Sequence, residues 1–130
     1  MDIKKLLAEI EADTKIDELN LREVQFKLPA IKHKYAGLLI RSKIELNDKK
    51  KKYEEARKNL VKKIKDSSPV KLTLNVLNDA AEETPSLKNI NEEIRNLQLV
   101  IELLEKTEKT LTSMTYDIKN IIEIQKLETT

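Results

Sequence analysis

The sequence predicts a mainly α-helical, elongated protein that consists of a short N-terminal helix, a long basic helix and a long C-terminal heptad helix, with possible short strands. The 130 residues include one Gly and no Trp, 37% of them are charged, and only 3% are aromatic. This composition is typical of long helices, because a compact globule of this size normally has more aromatic residues and glycine turns. We therefore expect a single domain whose apolar faces are completed by further copies of the chain.

The first predicted element is a short amphipathic helix over residues 2–12. Asp2 is a suitable N-cap, since its side chain can accept a hydrogen bond from an unpaired backbone amide of the first turn. Apolar residues then follow at helical spacing: Ile3, Leu6, Leu7 and Ile10.

The next segment alternates apolar and polar residues in the manner of a strand. Its apolar residues are Val24, Phe26 and Leu28. Pro29 disfavours helical geometry at the residue before it, so residues 23–28 are predicted to be extended.

A long helix is predicted over residues 30–65. Pro29 is suited to the start of a helix, and the stretch that follows contains no further Pro and only one Gly. Apolar residues fall at every seventh position, which is typical of a helix with a narrow apolar seam: Leu39, Leu46, Tyr53 and Leu60.

Residues 70–76 alternate again and are a possible second strand, with Val70, Leu72, Leu74 and Val76 as the apolar positions. A continuous helix of about 36 residues would hold the two extended segments about 50 Å apart, so they cannot pair within one chain. Two interpretations stay open. Either the segments pair between neighbouring subunits in the head-to-tail contact of a ring, or one of the strand predictions is wrong.

The last predicted element is an oligomerising helix over residues 86–127. Alternating steps of three and four residues give a register in which nine of twelve positions are apolar: Leu87, Ile90, Ile94, Leu97, Ile101, Leu104, Glu108, Leu111, Thr115, Ile118, Ile122 and Gln125. A helix with so apolar a face must pack along most of its length.

Charge is concentrated in the middle of the chain. Residues 31–65 contain 13 Lys and Arg against 4 Asp and Glu, a net charge of +9, whereas the whole chain has a net charge of only +2. A field concentrated on one helix attracts a polyanion such as a phosphate backbone. The alternative is that the lysines form an ordinary solvated face.

Eight residues of this basic helix are the candidates for contact with phosphate: Lys49, Lys50, Lys51, Lys52, Arg57, Lys58, Lys62 and Lys63. Four consecutive helical residues sweep about 300° of the surface, so part of the lysine run must point toward the apolar seam. Single-stranded nucleic acids are bound by cations along a groove, together with flat side chains on which bases stack.

Two tyrosines and the single histidine are candidates for further roles in the basic helix. Tyr53 lies on the apolar seam, which favours packing over base stacking. Tyr35 has basic neighbours, so base stacking is a second possibility there. His33 has no obvious partner in the sequence, and we assign it no catalysis.

The composition argues against an enzyme. The chain has no Cys, and its single Gly cannot provide a glycine-rich phosphate loop. The paired glutamates occupy cap or exposed positions, where carboxylates are usually solvated, so we expect no metal site and no cofactor. The sequence also lacks an apolar run long enough for a signal peptide or a membrane span, which predicts a cytosolic protein.

Several short stretches together resemble the UvsY-like recombination mediators of T-even-type phages. They occur in the family's order along nearly the whole chain: Ile16-Asp17 with Leu19 and Leu21, then Val24, Phe26 and Pro29, His33-Lys34-Tyr35, Val100, Leu103, Leu104 and Glu105, Ser113, and Ile118-Lys119-Asn120-Ile121-Ile122. The family's Leu-Lys-Ala-Arg motif aligns with Arg57-Lys58-Asn59-Leu60, where only Lys58 is retained. Arg57, Lys62 and Lys63 nevertheless keep this stretch basic.

The resemblance implies a non-enzymatic protein that binds single-stranded DNA and acts in the cytoplasm of the infected bacterial host. It also implies a ring-like homo-oligomer of six or seven subunits. Such a protein helps to load a phage recombinase onto DNA that is covered by single-strand-binding protein. The alternative is a structural or scaffold helical-bundle protein, whose basic helix pairs with acidic faces of neighbouring subunits.

Overall fold

The computed structural model describes residues 1–129, and this part of the chain forms four helices and no strand. The helices are α1 (Ile3–Asp13), α2 (Leu21–Ser67), α3 (Leu74–Glu82) and α4 (Pro85–Thr129). The mainly α-helical fold class is therefore confirmed. None of these helices, within the described residues, is long and apolar enough to span a membrane.

The chain packs as two compact units. Unit 1 consists of Met1–Ser42 together with the described residues from Leu99 onward, and unit 2 consists of Lys43–Gln98. Unit 1 thus contains α1, the first part of α2 and the second part of α4, whereas unit 2 contains the rest of α2, all of α3 and the first part of α4.

The core of unit 1 is formed by apolar side chains from three helices. They are Leu6 and Ile10 of α1, Leu21, Val24, Leu28, Tyr35 and Leu39 of α2, and Val100, Ile101, Leu104, Leu111, Met114 and Ile118 of α4. Apart from the adjacent pair Val100 and Ile101, successive members of each set are three, four or seven residues apart, so each helix presents one apolar stripe to the others. Burial of such a side chain contributes about 1.5–3 kcal/mol, which makes these stripes the main source of stability.

The prediction that residues 23–28 are extended is wrong, because they lie inside α2. Val24 and Leu28 are buried, whereas Phe26 between them is 75% exposed, so the alternation of apolar residues does not correspond to alternating burial. The governing period is that of a helix, in which Leu21, Val24 and Leu28 share one face.

Pro29 is accommodated inside α2 instead of starting it. A proline within a helix removes one backbone hydrogen bond and costs roughly 3 kcal/mol. Burial of the three apolar side chains in the preceding two turns offsets this cost. Next to the proline lies a cavity of about 170 Å³, lined by Gln25, Leu28, Pro29, Lys32, Thr115 and Ile118.

The start of α2 is stabilised by reciprocal side-chain hydrogen bonds. Asp17 Oδ1 accepts from the backbone amides of Leu19 and Asn20 at 2.8 and 2.9 Å, and Asn20 Oδ1 accepts from the Asp17 amide at 2.7 Å. The Asn20 carbonyl accepts the first helical bond, from Val24 N at 2.9 Å. This local turn sets the helix start well before Pro29.

α1 is joined to α2 by a cluster of polar groups as well as by its apolar stripe. The fully buried Tyr35 donates a hydrogen bond from its hydroxyl to Asp13 Oδ2 at 2.6 Å. Lys34 Nζ lies 2.8 Å from the same oxygen and 2.5 Å from Glu9 Oε1. Burial raises the pKa of Asp13, but the hydrogen bonds from Lys34 and Tyr35 outweigh it, so the pKa lies below its ordinary value.

The core of unit 2 is smaller and holds Leu77 and Ala81 of α3 with Leu87, Ile94 and Leu97 of α4. Leu46, Tyr53 and Leu60 of α2 are half-buried, in line with the predicted seven-residue seam.

The predicted strand over residues 70–76 is also wrong. Thr73 caps α3 by accepting from Val76 N at 3.4 Å, and the helix continues to Glu82. Val70, Leu74 and Val76 are exposed, and burial follows the helical pair Leu77 and Ala81 instead. Because neither alternating segment is extended, strand pairing between neighbouring subunits is ruled out as well.

The helix predicted over residues 86–127 spans Pro85–Thr129, and much of its predicted register is buried. At two polar positions of the register, the preceding residue is buried instead. Thr107 is buried in place of Glu108, and Met114 is buried in place of Thr115. Leu104 is completely buried within the core of unit 1. Leu104 thus stabilises the fold of its own chain.

We predict that Pro29→Ala stabilises the protein. The substitution restores a backbone donor within α2, and we expect the free energy of unfolding to rise by about 1–2 kcal/mol after the added entropy of the unfolded chain is subtracted. Urea denaturation followed by far-UV circular dichroism measures this change. Pro69→Ala, outside any helix, is the matched control and should give no gain. Equal or lower stability of the Pro29→Ala variant would contradict the account of α2.

We also predict that Asp13→Asn lowers the free energy of unfolding by about 1–3 kcal/mol at neutral pH, because two hydrogen bonds to a carboxylate are weakened. A lowered pKa in the folded state means that this contribution is complete above the unfolded pKa and is lost as pH falls through the folded value. The difference between variant and wild type should therefore shrink below about pH 4. The control is Glu11→Gln on the same helix, and a pH-independent difference would refute the assignment.

Candidate nucleic-acid interface

The basic residues of α2 in unit 2 are of two kinds, those that form an ion pair with a carboxylate and those that form none. Within residues 1–129, two of the eight candidates form ion pairs, Lys49 with Glu93 and Arg57 with Glu54. The other six form none in the same part of the chain, and all are exposed: Lys50, Lys51, Lys52, Lys58, Lys62 and Lys63. The helix therefore displays a group of ammonium groups to solvent.

Three of the six unpaired lysines share one face of the helix. At about 100° per residue, Lys51, Lys58 and Lys62 fall within about 40° of each other, and Lys65 continues the same line. We call these four residues the outer lysine row. Their α-carbons are separated along the axis by about 10, 6 and 4.5 Å. The row lies opposite the half-buried Leu46, Tyr53 and Leu60, so the packing of the seam turns it toward solvent.

Lys49 occupies a different position from the outer lysine row. Its Nζ lies 2.8 Å from Glu93 Oε2 of α4, and its side chain is only 25% exposed. The hydrogen bond from Lys49 lowers the pKa of Glu93, and the same bond raises the pKa of Lys49. Lys49 therefore points at a carboxylate of its own unit.

Arg57 is held on the surface of α2 itself. Its Nη2 donates to Glu54 Oε2 at 2.6 Å, one turn earlier in the helix. By helical position Lys50 lies on the same flank as Arg57, and Lys52 and Lys63 lie on the opposite flank. Further basic residues therefore lie on both flanks of the outer lysine row, and Glu54 and Glu55 lie between these flanks and the row.

A shallow cavity of about 420 Å³ lies at the C-terminal end of the row. It is lined by Asn59, Lys62, Lys63, Asp66 and Ser67. The Ser67 hydroxyl closes the helix end by donating to the carbonyl oxygens of Lys63 and Ile64 at 2.9 and 3.2 Å. Two ammonium groups and an amide next to this opening are donors suited to a phosphate group.

The tyrosines considered for base stacking are packed instead. Tyr35 is 0% exposed, so its ring cannot stack on a base. Tyr53 is half-buried, and burial together with the nearby Glu82 raises the pKa of its hydroxyl. His33 is exposed, and no group of three or more potential metal ligands occurs among residues 1–129.

The sequence reasoning missed two features. Phe26 is 75% exposed, with the guanidinium carbon of Arg22 at 5.9 Å from the ring centre, because α2 turns it away from the core of unit 1. The helical spacing of Leu21, Val24 and Leu28 is the signal that could have predicted the exposure of Phe26. Glu93 belongs to one of the glutamate pairs for which the sequence predicts simple solvation, and no local pattern indicates that it meets Lys49.

The fold and the outer lysine row define a helical protein with one cationic helix face. The sequence model of the UvsY family, described as "Recombination, repair and ssDNA binding protein UvsY", matches residues 9–130. The chain therefore belongs to the UvsY family. As a member of this family it is not an enzyme.

The same fold is found in crystal structures of the recombination mediator protein UvsY of bacteriophage T4. The lattice type IV structure has a TM-score of 0.87 at 13% sequence identity, covering 98% of this chain and 99% of that chain. The lattice type II structure has a TM-score of 0.83 at 14% identity, covering 100% and 99%. No curated protein matches the sequence.

Proposed function

We propose that this protein is a recombination mediator that binds single-stranded DNA and helps to load a phage recombinase onto DNA covered by single-strand-binding protein. The observation that carries the proposal is the outer lysine row, whose four exposed lysines form no ion pair within the described residues of the chain. Membership of a family described by recombination, repair and single-stranded DNA binding supports the same conclusion.

The outer lysine row suits a flexible strand without regard to its sequence. Each ammonium group can contact one phosphate, and phosphates occur at every nucleotide, so no base needs to be read. Lys62 and Lys63 line the cavity at the end of α2. Lys63 lies outside the outer lysine row, so it can add a phosphate contact beside those of the row. Lys50, Lys52 and Arg57 on the flanks raise the local concentration of the polyanion.

We further propose that several copies act together in a ring-like homo-oligomer of six or seven subunits. One row of four lysines binds weakly, whereas several rows in one assembly act on the same strand through their effective concentration. A strand that follows successive rows is wrapped, which weakens its contacts with the resident single-strand-binding protein. Any nucleotide dependence of loading would then belong to the recombinase.

The proposed oligomer requires apolar surface that the chain itself leaves uncovered. Several large apolar side chains are more than 50% exposed, among them Leu19, Phe26, Ile40, Ile44, Leu99 and Leu127.

Reversing two charges of the outer lysine row should remove DNA binding without unfolding the protein. For Lys58→Glu combined with Lys62→Glu, we expect the affinity for a labelled oligothymidylate to fall by at least about tenfold, since two phosphate contacts become repulsive. Fluorescence anisotropy measures the affinity, and sedimentation equilibrium checks that the oligomer persists. Lys109→Glu combined with Lys119→Glu, two exposed lysines of α4 in unit 1, is the control with the same charge change. Equal losses in both double variants would contradict the proposed site.

The affinity should also fall steeply with salt. Each phosphate contact on a single strand contributes about 0.7 to the slope of log affinity against log salt concentration, so loss of Lys58 and Lys62 should reduce the slope by about 1.4. A scaffold protein whose basic helix pairs with acidic neighbours would form no salt-sensitive complex with the oligonucleotide. Absence of such a complex would favour the scaffold alternative.

A further inference from the structure

We infer that Glu93 is a built-in competitor of the DNA backbone for Lys49 and thereby lowers the affinity of unit 2 for single-stranded DNA. This inference rests on the proposed function, and it assigns a restraining role to one carboxylate beside the lysine run. Lys49 begins the four-lysine run yet is the one member that is tied to an acidic side chain within the described residues.

The geometry of the pair supports this role. Lys49 Nζ and Glu93 Oε2 are 2.8 Å apart, within hydrogen-bond distance, and they come from two different helices of unit 2. The pair is therefore made only when α2 and α4 are packed. The Glu93 carboxylate accepts the hydrogen bond that the Lys49 ammonium group would otherwise donate to a phosphate oxygen.

The pair is accessible enough to be opened. The Glu93 side chain is 57% exposed, and the Lys49 side chain is 25% exposed. Exposed ion pairs contribute little to stability and are screened by salt, so separation of the two groups leaves the fold intact. Rotation of the Lys49 side chain away from α4 would bring its charge toward the flank of α2 that carries Lys52 and Lys63.

Glu93 differs in this respect from the other carboxylates near the basic helix. Glu54 pairs with Arg57 on its own helix. Removal of the Glu54 carboxylate therefore changes no ion pair between α2 and α4. Glu92, the neighbour of Glu93 on α4, is exposed and forms no ion pair within residues 1–129. Lys52 also acts on Glu93 and lowers its pKa together with Lys49.

The test compares Glu93→Gln with Glu92→Gln, two variants with the same change of charge one residue apart. Release of Lys49 adds one phosphate contact, which at 0.1 M salt corresponds to an affinity gain of about fivefold and to an increase of about 0.7 in the salt slope. Glu92→Gln should give only the smaller effect of the changed net charge. The probe is a fluorescein-labelled oligothymidylate in an anisotropy titration, and thermal unfolding checks that both variants fold.

A second comparison shows whether the gain passes through Lys49. In a Lys49→Gln background, Glu93→Gln should raise the affinity no more than Glu92→Gln does. A full gain without Lys49 would overturn the inference, because the effect would then be a general one of charge.

The outcomes separate the inference from the function on which it rests. If the wild-type protein binds the oligonucleotide and the two single variants gain equally, the competitor role of Glu93 is wrong and the proposed function stands. If the wild-type protein shows no salt-sensitive binding at all, the proposed function is wrong and the competitor role falls with it.

Discussion

The burial of one apolar stripe along α2 is the constraint on which the rest of the structure depends. In unit 1 this stripe runs through Leu21, Val24, Leu28, Tyr35 and Leu39, and each of these residues is at most 8% exposed. A helix that buries one face has no freedom to rotate about its own axis, so the positions of all its other side chains follow. In unit 2 the half-buried Leu46, Tyr53 and Leu60 impose the same restriction, and the outer lysine row is the face that remains.

The same constraint divides the basic residues by what they can do. Lysines opposite the seam meet only solvent, whereas Lys49, which lies closer to it, meets Glu93 of α4. A high density of positive charge in the sequence therefore does not mean that every cation is available to a phosphate. Because neighbouring residues on a helix are about 100° apart, a run of four lysines necessarily mixes both kinds.

The predictions that failed did so because local patterns compete with packing. Val24, Phe26 and Leu28 alternate like a strand, and Pro29 locally disfavours a helix, yet burial of Leu21, Val24 and Leu28 outweighs both signals. The second alternating segment was misinterpreted for a similar reason, since Thr73 caps a helix that buries Leu77 and Ala81. The long helices were easier to predict, because their apolar period is sustained over many turns.

The sequence by itself determined the helical class, the approximate extent of the long helices and the concentration of positive charge in the middle of the chain. These properties depend on composition and on periods along a single segment, so they need no knowledge of the partners across the fold. Only the tertiary structure decided that Tyr35 is buried against Asp13 and that Lys49 faces Glu93, residues 22 and 44 positions apart in the chain. Such contacts arise when two helices pack, and no pattern within either helix specifies them.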